Sequence, residues 1–175
     1  MCILFFEVIF MCGIIGFNGS VIAVPFLISQ KQLPAYSLPL DMENTVSLHM
    51  PDGKYELVSA EEYFSGAAAA YLPRESNEDI LRAFCVMLNT PELTKNGIYY
   101  LSPSERAQIF GEEYDEKCRL YSAVWESVSD QRLILCNDTL LPLSEYAFAL
   151  EQCEGSYTEI LSSLFPGGGL KTGTS

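Results

Sequence analysis

The chain is 175 residues long, 49% hydrophobic, and carries a formal net charge of −13 from 23 acids and 10 bases. That length and apolar content support one domain with its own core and exclude wholesale disorder. The acidity excludes direct binding of nucleic-acid phosphates and disfavours anionic membrane surfaces; it favours a basic protein partner instead.

The first stretch is apolar. Residues 1–41 carry Glu7, Asp41 and Lys31; removing these from the 23 acids and 10 bases leaves 21 and 9, a net of −12, in residues 42–175. Three units follow: an apolar leader over 1–41, an acidic globular domain over 42–165, and a flexible Gly-rich tail over 166–175. Met1, Met11 and Met42 are each candidate translation starts. Residues 8–30 hold no charge, long enough for a membrane span or anchor. The competing reading is a hairpin in which Asn18-Gly19 turns between Ile14-Ile15-Phe17 and Val21-Ile22-Val24. No Lys or Arg precedes the segment, so a secretory n-region is missing.

"MCGIIGFNG", residues 11–19, resembles the start of a class II glutamine amidotransferase of the asparagine-synthetase type. The resemblance implies an N-terminal nucleophile hydrolase in which Cys12, exposed by processing, attacks the glutamine amide while its own α-amine acts as base. An internal amide nitrogen cannot play that part. Eleven residues precede Cys12, and the Arg-Gly pair of that family occurs nowhere in this chain.

The body alternates strand and helix signals. Thr45–Met50 and Lys54–Val58 flank Pro51-Asp52-Gly53, a hairpin signature. Ser59-x-x-Glu62 is a capping box; it opens a helix with the stripe Tyr63, Phe64, Ala67, Ala68 and Tyr71, stopped at Pro73. Ser76-x-x-Asp79 caps a second helix with Ile80, Phe84, Met87 and Leu88 inward. Asn96-Gly97 turns the chain into a strand over 98–101. Ser102-Pro103-Ser104-Glu105 opens a helix closed by Gly111. The longest helix is expected over 112–128, with Tyr114, Cys118, Tyr121, Trp125 and Val128 on one side. A short strand over 132–136, a helix over 143–153 and a last helical segment over 157–165 complete the domain. The order predicts an α+β fold: a mainly antiparallel sheet with helices packed on one face.

Six cysteines with no C-x-x-C spacing and one histidine, His49, give no structural zinc pattern. No cofactor motif is present: the tail "GGGLKTGTS" lacks the Gly-Lys-Thr order of a phosphate loop. Unpaired cysteines suit a reducing, cytoplasmic setting. The densest acidic run is Glu112, Glu113, Asp115 and Glu116. It satisfies a helix dipole, and with Tyr114 and Tyr121 it forms the candidate binding face. The leading expectation is an acidic, non-catalytic interaction protein, a regulator, inhibitor or immunity-type factor binding a basic protein partner. A Cys12 hydrolase and a membrane-anchored acidic domain are the alternatives. The hydrolase reading predicts a mature chain beginning at Cys12; intact-mass measurement of the native protein checks it, and any residue retained before Cys12 removes that mechanism.

Overall fold

The computed structural model describes residues 45–49, 55–95, 97–136 and 140–173, all within one compact unit. The apolar segment 8–30 and Cys12 lie outside the described residues.

The first elements are a hairpin. Strands β1 (Thr45–His49) and β2 (Tyr55–Ser59) pair antiparallel, with Val46 opposite Val58 and His49 opposite Tyr55. Val46, Leu48 and Val58 turn inward and pack against Ala60, Tyr63 and Tyr100 in a small core. Tyr55 and Leu57 face outward.

Helix α1 (Ala60–Tyr71) follows without a break. Ser59 caps it, its hydroxyl accepting from the Glu62 backbone N–H at 3.0 Å. The expected capping box is half made: the Glu62 carboxylate turns away from the cap, as the candidate site below explains. Phe64, Ala67 and Ala68 are buried as the stripe requires.

Helix α2 (Glu78–Leu88) begins one residue later than expected. Its cap is Asn77, whose Oδ1 accepts from the Ile80 N–H at 2.9 Å, rather than Ser76. Both residue types favour caps, and the Ser76 hydroxyl is left buried without a partner. Eight of its residues are buried: Ile80, Leu81 and Ala83 through Leu88. A helix apolar on most of its surface sits in the interior. The one-turn helix α3 (Pro91–Thr94) follows; its sequence carries too little periodicity to announce it.

Residues 98–101 do not form the expected strand. The Leu101 N–H donates to the Gly66 carbonyl of α1 at 3.1 Å, and the Tyr99 N–H to the Tyr71 hydroxyl at 3.0 Å. The segment is extended but finds its partners on a helix, so no ladder forms. Gly66 permits that approach because it has no side chain.

Helix α4 (Pro103–Phe110) carries the complete Ser102/Glu105 capping box and ends at Gly111, whose φ of 56° suits glycine. A 3-10 turn over Gly111–Glu113 joins it to α5 (Tyr114–Val128). Strand β3 (Gln131–Ile134), helix α6 (Leu143–Leu150), helix α7 (Tyr157–Leu164) and strand β4 (Gly169–Thr172) follow. Strands β3 and β4 pair antiparallel, Arg132 opposite Lys171 and Leu133 opposite Leu170. Part of the expected flexible tail is thus a strand. Gly168 makes room for the return: a Cβ there would sit 3.0 Å from the Phe165 carbonyl and 3.1 Å from that of Ile134.

The fold is α+β. About 58% of the described residues are helical, and the strands form two separate two-stranded antiparallel sheets. The larger core gathers α1, α2, α5, α6, α7 and Leu133.

Gly66→Ala provides a test of the close approach. The added Cβ would overlap the Tyr100 ring and lie 2.7 Å from the Leu101 carbonyl oxygen, a backbone atom that no rotamer change moves. Overpacking of this kind costs about 1–3 kcal/mol, opposite in sign to the ~1 kcal/mol that Ala gains over Gly inside a helix. Urea unfolding is expected to show a lower midpoint; an unchanged or higher one would contradict the packing.

Candidate functional site

Two groups of polar side chains stand out, one inside the domain and one on its surface. The inner one is built on α1, α4 and the 98–101 segment. Arg106 of α4 is 2% exposed, so its guanidinium, which keeps its charge at any physiological pH, needs a counterion. Glu62 of α1 provides it, accepting a hydrogen bond from Arg106 Nη2. The same Glu62 oxygen accepts from the Tyr100 hydroxyl at 2.8 Å. Arg106 Nε is buried and has no partner. Burial and the neighbouring Glu62 carboxylate both hold the Tyr100 phenol above its usual range. One carboxylate thus ties three parts of the chain together, which is why it is absent from its own helix cap.

The surface group is the acidic run singled out in the sequence. The 3-10 turn and first turn of α5 place Glu112, Glu113, Asp115 and Glu116 in solvent. Glu113 pairs with Arg74 at 2.8 Å, and Arg74 also donates to the Phe110 carbonyl at 3.1 Å. Lys117 donates to the Arg74 carbonyl. These contacts fasten the 72–76 loop to the α4–α5 junction. Glu112, Asp115 and Glu116 have no ion-pair partner among the described residues.

The two tyrosines of the expected face divide. Tyr114 is half-buried; burial first, then a hydrogen bond with Cys118, raise its pKa. Tyr121 is 4% exposed and belongs to the core, with ring centroids 6.0 Å from Phe64 and 6.2 Å from Phe110. Burial pushes its phenol up to about 12, with the Arg106 charge opposing. It adds no contact area to the surface. The reason lies in helical spacing: Tyr121 is seven residues beyond Tyr114 and shares its stripe, but it sits deeper along the interior face.

Cys12 lies outside the described residues, and the His49 side chain does too. Cys85, Cys118, Cys136 and Cys153 are free thiols; burial raises the pKa of Cys85, leaving it a poor nucleophile. Among the described residues, no three His, Cys, Asp or Glu side chains converge on a position that could hold a metal ion, and no helix is long and apolar enough to cross a membrane. Compared with protein-family models, curated proteins and solved structures, the chain matches none.

Sequence reasoning missed the Glu62–Arg106–Tyr100 group. Arg106 reads as an exposed helix residue, and its partner lies 44 residues away. The one trace in the sequence is Glu62 itself, which sits at a capping-box position but gives its carboxylate to Arg106 and Tyr100 instead.

The buried pair predicts a distinct mutational pattern. Glu62→Leu strands the Arg106 charge and should cost about 3–5 kcal/mol. Combining it with Arg106→Met removes the stranded charge, so the double variant should be more stable than Glu62→Leu alone. Chemical denaturation of both singles and the double measures the coupling; simple additivity would show that the pair is not energetically linked.

Proposed function

We propose that this chain works by binding a basic protein partner, with Glu112, Glu113, Asp115 and Glu116 as the contact surface. The observation that carries this reading is a set of solvated carboxylates, of which Glu112, Asp115 and Glu116 have no ion-pair partner among the described residues, in a domain that is itself strongly acidic. A protein held to its own neutralising contacts would have fewer free carboxylates to offer. A long-range field of this sign accelerates encounter with a positive surface and fixes its orientation. The Arg74 and Lys117 contacts hold the turn on the domain, so it is presented in one geometry. Half-buried Tyr114 supplies apolar area beside the charges. The free thiols fit a cytoplasmic setting.

The test is quantitative binding to the basic partner recovered from the native host. Raising ionic strength shortens the Debye length from about 10 Å at 0.1 M toward 3 Å at 1 M, so affinity should fall steadily with salt. The triple variant Glu112→Gln, Asp115→Gln, Glu116→Gln should bind on the order of tenfold more weakly and show a flatter salt dependence. Binding that ignores both salt and the triple variant would sink the proposal.

A further inference from the structure

The acidic domain also concentrates positive charge in one place. Between α3 and the β3–β4 ladder lies a groove of about 570 Å³, a size ordinary for small-molecule sites. Its lining carries Lys95, Arg132 and Lys171, with Glu92 as its one acid; the apolar part includes Ile134, which is 51% exposed and, two residues from Arg132, shares its strand face. Three of the chain's ten bases therefore meet here. None of the three has an ion-pair partner among the described residues, whereas Arg74, Arg82 and Arg106 do.

The strand register sets two of these cations against each other. Arg132 and Lys171 are directly opposed on β3 and β4, so their side chains leave the same face with Cβ atoms about 5 Å apart, and like charges so placed are destabilising. The groove is nonetheless held firmly. Thr90, buried beside α3, accepts from the Leu133 N–H at 3.0 Å while its own hydroxyl donates to the Val86 carbonyl at 2.9 Å. The Asn89 amide donates to the Ser129 carbonyl at 3.0 Å. The end of α2 thereby anchors β3, and β3 fixes Arg132 against Lys171.

We propose that this groove binds a small amphipathic anion: a molecule with a phosphate or carboxylate group on an apolar body. The anion lies between the Arg132 guanidinium, whose fork suits two oxygens at once, and the Lys171 and Lys95 ammonium groups. It relieves the cross-strand repulsion, while the apolar body packs on the exposed Ile134 beside it. The site is independent of the acidic turn on α5, so either proposal can fail alone.

The experiment is a titration of the full chain, followed by backbone amide chemical shifts, with phenyl phosphate, benzoate, inorganic phosphate and phenol. Saturable shifts are expected in residues 92–95, 132–135 and 170–172 with phenyl phosphate or benzoate, and the tighter of the two assigns the oxyanion. Inorganic phosphate should bind more weakly than phenyl phosphate, and phenol should not saturate. Arg132→Gln and Lys171→Gln should each weaken binding on the order of tenfold, yet melt at a temperature equal to or higher than the parent, since each removes the like-charge opposition. No saturable shift at these residues, equal binding of phenol, or affinity unchanged in both variants would overturn the proposal.

Discussion

A helix with eight of its eleven residues buried needs cover on almost every side, and the fold is arranged to supply it for α2. Helices α1, α5, α6 and α7 and strand β3 all contact it. Their apolar faces meet in one cluster around Phe84, Val86 and Met87, each fully buried. Hydrophobic burial is non-directional, so it explains why these elements gather but not how each is oriented. Orientation comes from the polar contacts at the two ends of α2. At its start, Asp79 accepts from the Tyr157 N–H at 3.1 Å and sets α7. At its end, Asn89 and Thr90 set β3.

Across the domain the Glu62–Arg106–Tyr100 group does the same for the elements that α2 does not reach. Without it, α4 would lie on the domain by Phe110 alone among its fully apolar buried residues. Truncating one partner of a buried pair is costly because the other remains charged in a medium that solvates it poorly. A bond of this kind therefore specifies where α4 sits more strongly than it stabilises the fold as a whole. Because α4 leads directly into the acidic turn, the same pair governs where those carboxylates are displayed.

The helices were legible in the sequence because their information is local. Capping residues, glycine at the stop and apolar spacing all lie within one element, and α1, α4 and α5 were readable to within a few residues. Two of the failures share one cause: partners distant in sequence. Residues 98–101 have strand composition, yet their hydrogen bonds go to Gly66 and Tyr71 of a helix. Gly169–Thr172 has tail composition, yet it completes a ladder with β3. Asn77 replaced Ser76 as a cap because adjacent residues with equal preference cannot be ranked by type. The acidic turn was visible as a run of letters, whereas the burial of Tyr121 was not, since the stripe of α5 does not reveal how deep each position lies. The basic groove left no trace at all: Lys95, Arg132 and Lys171 are separated by 37 and 39 positions and meet only when β4 returns to β3.

Charge in this domain is sorted rather than diluted. Carboxylates crowd the start of α5, where the helix dipole favours them, and three bases line the groove beside the β3–β4 ladder, where the register sets two of them against each other. The first arrangement is self-consistent: its electrostatic cost is lowered by the dipole of the helix it opens. In the second, none of the three bases forms an ion pair among the described residues. Neutralising Arg132 or Lys171 would leave the ladder and the Thr90 anchor intact, because neither contact uses the cationic group. The opposition of Arg132 to Lys171, with exposed Ile134 beside them, is the feature on which the proposed anion site rests.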